Sequence, residues 1–517
     1  MFDRLFKPDV EKLERNKDVK GLIRALSYQG DSKVPAEAAE ALGNIGDLRS
    51  VEPLCAHIKD SDSKIRRYTI QALGKIGDRR ATEPLIVALS VSDQFVIRDA
   101  TEALGRIGDP KAIEPLIILL NNPSEYVRSD AAEALGNIRD SRALESLIFA
   151  LKDSNQAVRI KAVEALGKIG DSKSAEFLVV ALEDPRNEVR ESAADALDKM
   201  GWIPENDKAA AWYWISKRDF SKCVAIGEPA VEPLILTLNN SEISVHRNAA
   251  DALGQIGASA IEPLITALNG SNTKVHEKAA EALSQVRDPK ALDLLIFALK
   301  NSNPEVRKNA ARALGKMGDL KSVDPLIALL QDSTIFVRAN AILALGEIGD
   351  SRSLDPIIYR LNYDSNSGVR GEAAKALMKI DASRGVEFLC GCLKDFDPNI
   401  RRLAAQILGD TGDPRAVESL IDQLKEPHMR EDSAEALGKI GDSRAIEPLI
   451  SSLKDSDPKV RKRAANSLVS FYHSGKLDPE KQKMILANKS VIQAPHTDNT
   501  KQSDCSVHED SGIGISF

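Results

Sequence analysis

The apolar residues of the segment 109–139 recur at helical spacing in two stretches that are separated by a short polar break, NNPSE. Such spacing is typical of amphipathic α-helices. The first stretch contains Ile113, Leu116, Ile117 and Leu120, and the second contains Val127, Ala131, Ala134, Leu135 and Ile138. The segment is therefore predicted to form a helical hairpin.

Residues at the ends of the two stretches fit the boundaries of helices. The polar break elsewhere reads Asn303-Pro304, where Asn can cap the second helix and Pro can occupy its first position. The second stretch ends on Gly, as at Gly170, and Gly readily takes the left-handed conformation that ends a helix. Pro115 predicts either a first-turn proline or a kink in the first helix, and the pattern leaves both open.

The same hairpin pattern repeats along most of the chain. Aligned leucines mark its copies at Leu42, Leu73, Leu104, Leu135, Leu166, Leu197, Leu253, Leu283, Leu314, Leu345, Leu377, Leu408, Leu437 and Leu468. Most steps are 31 residues, whereas the step from Leu197 to Leu253 is 56, so one insertion interrupts the series. Because one hairpin cannot bury its own apolar face, we expect an all-α fold, an α-solenoid of about fourteen stacked hairpins.

Composition divides the chain into four segments. Residues 1–200 are predicted to be a helical cap and an array of hairpins, and residues 228–487 a second array. Residues 201–227 form an insertion that holds every Trp of the chain, and residues 488–517 are a polar tail predicted to be disordered. Trp212 and Trp214 of the insertion either pack within a spacer pair of helices or bind a partner, since Trp is common in binding hot spots.

Charge decides which partners suit the array. The net charge is -7, and a dedicated nucleic-acid binder would carry a basic excess, so neither nucleic acid nor an anionic membrane is expected as a partner. The second helices carry a mixture of both signs that suits a protein partner, although a solvated face without a partner would look the same. The basic candidates on this face are Arg67, Lys75, Lys308, Arg312 and Lys316.

Five cysteines give no disulfide framework, and no apolar run is long enough to span a membrane. Cys390 and Cys392 fall at packing positions of a first helix, which favours small apolar side chains over thiol chemistry. The chain is therefore predicted to be cytoplasmic.

The motifs EPLI at 83–86, VR at 127–128, AAEALG at 131–136 and IGD at 107–109 resemble the short HEAT repeats of phycobilisome lyase-like proteins. The resemblance covers about residues 18 to 472 and implies a ladder of one Arg and one Asp in each repeat. The matching arginines are Arg66, Arg128, Arg159, Arg190, Arg307, Arg338, Arg370, Arg401, Arg430 and Arg461. The matching aspartates are those of the IGD motifs, such as Asp109, and their equivalents in the same loop, such as Asp140. His246 and His276 stand in two arginine positions.

The resemblance implies a binding scaffold, with enzymes as alternatives. We expect a protein–protein interaction scaffold that binds a partner on its concave face, with no cofactor and no catalytic or metal site. One alternative is a bilin lyase-like or lyase-accessory protein. The other is a metal-dependent hydroxylase related to deoxyhypusine hydroxylase-like HEAT enzymes, for which the array offers one His-Glu pair, His276-Glu277. Residues 201–260 are expected to be the weak joint of the array, and the oligomeric state is left open.

Overall fold

A computed structural model describes residues 7–474. The predicted tail at 488–517, which contains Cys505 and the second His-Glu pair, lies outside the described residues.

The described residues are almost entirely helical, with short connections and no strand between residues 7 and 474. The α-helices in chain order are α1 (Val10–Arg15), α2 (Val19–Ala25), α3 (Lys33–Ile45), α4 (Val51–Ala56), α5 (Ser63–Ile76), α6 (Thr82–Ala88), α7 (Gln94–Ile107), α8 (Ile113–Leu119), α9 (Glu125–Ile138), α10 (Leu144–Ala150), α11 (Gln156–Ile169), α12 (Ser172–Ala181), α13 (Asn187–Lys199), α14 (Lys208–Ser216), α15 (Phe220–Ile226), α16 (Val231–Thr237), α17 (Ile243–Ile256), α18 (Ile261–Asn269), α19 (Thr273–Gln285), α20 (Pro289–Ala298), α21 (Pro304–Met317), α22 (Val323–Leu329), α23 (Ile335–Ile348), α24 (Leu354–Tyr363), α25 (Ser367–Ile380), α26 (Ala382–Cys392), α27 (Pro398–Thr411), α28 (Val417–Gln423), α29 (Arg430–Ile440), α30 (Ile446–Ser452) and α31 (Pro458–His473). Short 3-10 helices precede ten of the first helices, at Leu48–Ser50, Arg79–Ala81, Pro110–Ala112, Ser141–Ala143, Glu228–Ala230, Gly257–Ala260, Leu320–Ser322, Ser351–Ser353, Pro414–Ala416 and Ser443–Ala445.

After α1, every even-numbered helix pairs with the odd-numbered helix that follows it. We call these the A helix and the B helix of a repeat. Repeats 1–6 run from α2/α3 to α12/α13, the insertion is α14/α15, and repeats 7–14 run from α16/α17 to α30/α31. Successive B helices pack on one another, as α7 does on α9. The fourteen hairpins of residues 7–474 confirm the predicted all-α solenoid.

Aspartates and glycines fix the ends of the helices. Asp109 caps the 3-10 helix that leads into α8, because its side chain accepts a hydrogen bond from the Lys111 backbone N–H at 3.1 Å. Pro115 is the third residue of α8, so it lies in the first turn and removes an N–H that has no helical partner. Gly105 allows B helices to approach, since a Cβ there would lie 2.8 Å from the Ala134 Cα.

The chain divides into two compact units, Met1–Val286 and Arg287–Phe517. The first unit contains repeats 1–8 with the insertion, and the second contains repeats 9–14. The segment boundaries predicted at residues 200 and 228 therefore lie inside the first unit. The weak joint predicted at 201–260 stays a prediction.

Candidate protein-binding surface

In seven B helices of the described range, an arginine near the start of the helix connects two repeats. Arg159 on α11 donates from Nη1 to the Asp153 carbonyl at 2.8 Å, within the turn of its own repeat. Its Nε and Nη2 donate to both carboxylate oxygens of Asp184, at 2.7 and 2.9 Å, in the turn of the next repeat. Such a bidentate pair fixes both distance and orientation. Each of these arginines therefore ties the stacking of one hairpin to the next.

The carboxylates of this ladder are not the ones that the sequence predicted. The rungs are Arg66–Asp93, Arg128–Asp153, Arg159–Asp184, Arg307–Asp332, Arg338–Asp364, Arg370–Asp397 and Arg430–Asp455. All these aspartates lie in or next to the turn between an A helix and its B helix. The prediction of the IGD aspartates was wrong, because those side chains are used locally: Asp140, for example, caps its own 3-10 helix and binds Arg142.

Ionisation of the rungs follows from their burial and pairing. Burial works to raise the pKa of Asp364, but hydrogen bonds from Arg338 and from the Asn366 backbone N–H lower the pKa overall. Hydrogen bonding to Asp184 raises the pKa of Arg159. Pairing thus favours the charged form of the Asp364 carboxyl group and of the Arg159 guanidinium.

The ladder changes character from repeat 6 to repeat 8. Arg190 has the indole ring of Trp212 at 4.9 Å in place of a carboxylate, and burial lowers the pKa of its guanidinium. His246 and His276 bond to the carbonyls of Asn240 and Gly270, at 3.2 and 2.8 Å, in their own turns. These two histidines thus keep the bond within the repeat, and the residue equivalent to the rung aspartate is Gly270 after His246 and Asn301 after His276.

The insertion is a shortened hairpin, α14/α15, capped by Asp207 and Asp219. Trp212 is only 5% exposed, packed against Arg190, so it supports the packing alternative rather than a free binding site. Trp214 is half-buried, with Lys222 Nζ 5.7 Å from its ring. Burial and a hydrogen bond to Asp198 raise the pKa of Tyr213 to about 12. The hairpin is thus fixed by its own aromatic core.

A patch of arginines and aromatic rings lies across the B helices α5, α7 and α9 of the first unit. Arg67 Nε donates to Asp99 at 2.6 Å, and Arg98 Nε donates to Asp130 at 2.5 Å. Each guanidinium lies over an exposed ring, Phe95 at 5.2 Å and Tyr126 at 5.5 Å, respectively. We call this set the Arg67–Tyr126 patch; its members other than Tyr126 line a depression of about 340 Å³.

The sequence-predicted candidates occupy three separate places. Arg67 and Lys75 lie on α5, and the Lys75 ammonium donates to Asn44 at 2.8 Å. The three basic residues of repeat 9 lie on α21, where Lys308 donates to Glu305 at 2.6 Å: Lys308, Arg312 and Lys316. The two Trp candidates are on α14. Only Arg67 and Lys75 adjoin the patch, and sequence reasoning missed Phe95 and Tyr126.

The described residues contain four thiols, none of which forms a disulfide. Cys55, Cys223, Cys390 and Cys392 are free, and burial raises the pKa of Cys392 to about 12. Between residues 7 and 474, no three His, Cys, Asp or Glu side chains converge to hold a metal ion. No helix in that range is both long and apolar enough to cross a membrane.

Solved structures of similar folds are large helical proteins. Kap121p bound to RanGTP is 14% identical with a TM-score of 0.44, covering 90% of this chain and 57% of that one. Yeast importin-β (Kap95p) is 14% identical with a TM-score of 0.38, covering 94% and 80%. At these values the similarity carries no inference about function. No curated protein matches the chain.

The sequence profile of HEAT repeats matches overlapping stretches of about two to three hairpins on both sides of the insertion. The matched stretches are 19–105, 51–134, 82–153, 113–198, 231–302, 261–336, 294–378, 323–395, 354–432 and 386–470. The match is to HEAT repeats as a class, and the closer resemblance to phycobilisome lyase-like repeats stays a prediction. Because these stretches cover well over half of its residues, the chain belongs to the HEAT-repeat family.

Proposed function

We propose that this protein is a scaffold that binds a protein partner on the face formed by its B helices, with the Arg67–Tyr126 patch as the contact of the first unit. The observation that carries the proposal is the exposure of two aromatic rings, Phe95 and Tyr126, which are each 62% exposed although they are held under arginines. Arginine and aromatic side chains are enriched among the residues that dominate binding energy.

The patch is also rigid before a partner arrives. Asp99 accepts hydrogen bonds from both Arg67 and Gln71, at 2.6 and 3.0 Å, and Asp130 fixes Arg98. The side chains therefore lose little conformational entropy on binding, which favours affinity. The same pairing neutralises the arginines, so they suit the mixed surface of a protein better than a phosphate backbone.

The basic residues of α21 are proposed as a contact of the second unit with the partner. Lys308 is a half-buried member of a pair with Glu305, and Arg312 and Lys316 lie one and two turns further along the same helix. The lyase-like and hydroxylase-like alternatives have no further observation in their favour and stay predictions. The proposal includes no cofactor, and we propose a cytoplasmic location for the protein.

A photo-crosslinking amino acid in place of Tyr126 tests the proposal in the native host. The matched control places it at Phe396, an exposed ring that likewise stacks on an arginine, Arg370, but lies in a turn. A partner that crosslinks only from position 126 is then purified and titrated. Phe95→Ser with Tyr126→Ser should weaken its binding by about tenfold or more, while Phe396→Ser leaves it unchanged. Equal affinity of the double variant and the wild-type chain would refute the patch.

A further inference from the structure

A second surface lies on the A helices of the first unit, where no function has been assigned. The 31-residue period places one residue at the same position on each of four successive A helices, α6, α8, α10 and α12. These residues are Val87, Ile118, Phe149 and Val180. They are 48% to 72% exposed although all are apolar. We call this set the outer column.

The outer column is not a general property of the repeat. The same position in repeats 9 to 14 reads Phe297, Ala328, Tyr359, Gly391, Asp422 and Ser451, so small or polar residues interrupt it. In the first unit it is bounded by Ala56 in repeat 2 and by the insertion after repeat 6. Isolated exposed apolar residues need no explanation, whereas a contiguous series marks an interaction surface.

Carboxylates accompany the outer column. Glu114, Glu145 and Glu176 lie four residues before Ile118, Phe149 and Val180 and therefore on the same faces of α8, α10 and α12. All three are exposed. The charge of Glu114 interacts with Arg142, and Glu83 beside Val87 is paired with Lys111 at 3.5 Å. Neither Glu145 nor Glu176 forms an ion pair within 4.0 Å between residues 7 and 474, so a partner that covers the apolar residues would meet negative charge at these two positions.

The spacing of the column selects the shape of the partner. Packed helices lie about 8–10 Å apart, and seven residues of an α-helix rise about 10.5 Å. A helix that crosses α6, α8, α10 and α12 would therefore present one apolar residue to each layer if its apolar residues recurred every seven positions. Four layers require a helix of about 22 residues. Beside Phe149, a depression of about 660 Å³ lined in part by Ile117 and Leu120 offers room for a large side chain.

We propose that the outer column binds an amphipathic α-helix of a partner protein, with apolar residues at heptad spacing and Lys or Arg along one edge. The apolar residues of the partner cover Val87, Ile118, Phe149 and Val180, and its basic edge neutralises Glu145 and Glu176. This surface is separate from the Arg67–Tyr126 patch, because it lies on A helices rather than B helices.

The test uses the full chain and a fluorescent synthetic peptide of 24 residues (about seven helical turns) that carries Leu at heptad spacing and Lys along one edge. Ile118→Ser with Phe149→Ser should weaken binding by about tenfold or more, and Glu145→Gln with Glu176→Gln should weaken it severalfold and reduce its salt dependence. The matched control, Phe297→Ser with Tyr359→Ser, changes the same position in the second unit and should leave binding unchanged. All these side chains are exposed, so circular dichroism should remain as in the wild-type chain.

Three results would overturn the proposal. The first is equal binding of the wild-type chain and the Ile118→Ser/Phe149→Ser variant, or no binding at all. The second is equal binding of a control peptide with Glu in place of every Lys. The third is concentration-dependent self-association that the same variant abolishes, which would assign the column to a second copy of this chain. The partner that crosslinks from position 126 should bind the outer-column variant with unchanged affinity. Its binding therefore tests the Arg67–Tyr126 patch independently of the outer column.

Discussion

The B helices of repeats 9–11 carry an arginine at the ladder position, whereas those of repeats 7 and 8 carry a histidine. Arg338 reaches the Asp332 carbonyl in its own turn at 2.8 Å and both oxygens of Asp364 in the next turn. His276, in the same position, reaches its own turn through Nε2, while its buried Nδ1 has no hydrogen-bond partner. The arginine therefore forms hydrogen bonds both within its own repeat and to the next one, whereas the histidine forms only the bond within its repeat.

Removing a buried rung should cause the largest loss in the free energy of unfolding. Arg338→Ala leaves the fully buried Asp364 carboxylate without its bidentate partner, which should lower the free energy of unfolding of the second unit by about 3–5 kcal/mol. Urea denaturation followed by circular dichroism measures the loss. The control is Arg352→Ala, which removes a partly exposed pair with Asp350 and should cost under about 1 kcal/mol. Similar losses for the two variants would contradict the importance of the buried rung.

Replacing Trp212, which lies against Arg190 where other rungs have a carboxylate, should cause the next largest loss of stability. Trp212→Leu keeps an apolar side chain but removes the ring beneath the guanidinium, so we expect the first unit to lose about 2 kcal/mol of stability. Hydrogen exchange of α13 and α14 amides gives the local value. Trp214→Leu, at the half-buried ring, should change these amides much less. Loss of partner binding without loss of protection in the Trp212 variant would favour the alternative function of the insertion.

Restoring a rung should give a smaller gain. His246→Arg with Gly270→Asp recreates within the first unit the pair found at Arg159 and Asp184. Gly270 has φ -68°, so Asp fits its backbone without strain. We expect the double variant to exceed the sum of the single changes by about 1–2 kcal/mol in a double-mutant cycle. Additive single effects would show that the spacing of repeats 7 and 8 differs from that of the laddered repeats.

Lowering the pH should first reduce the stability of the repeats that carry Arg–Asp rungs. This should be the smallest of the expected effects. The pKa of Asp364 is below its ordinary value of 3.8 in the folded protein, so its stabilisation is complete above that pH and is lost as the pH falls through the folded pKa. Asp332 behaves in the same way. Urea midpoints of the second unit measured between pH 6 and pH 2 (about the range in which carboxylates titrate) should show a shallower decline in Asp364→Asn. An unchanged decline in that variant would exclude this rung as the source.

The sequence by itself determined the repeated hairpin, because apolar spacing, capping residues and terminal glycines all act within about thirty residues. The helix pair of the insertion follows the same local rules, because Asp207 and Asp219 cap its two helices and the second one ends at Gly227. The arginines of the ladder were also identified, since each repeats with the period.

Only the tertiary structure decided which groups meet between repeats. Most repeats contain one aspartate in the turn between the A and B helices and another after the B helix. Sequence spacing does not say which of the two lies opposite an arginine, because that depends on how far one hairpin is offset from the next. The same offset buries Trp212 under Arg190 and leaves Phe95 and Tyr126 exposed, although all three are aromatic. Contacts within a hairpin follow from local spacing, whereas contacts between hairpins follow from packing geometry, and the binding surfaces belong to the second kind.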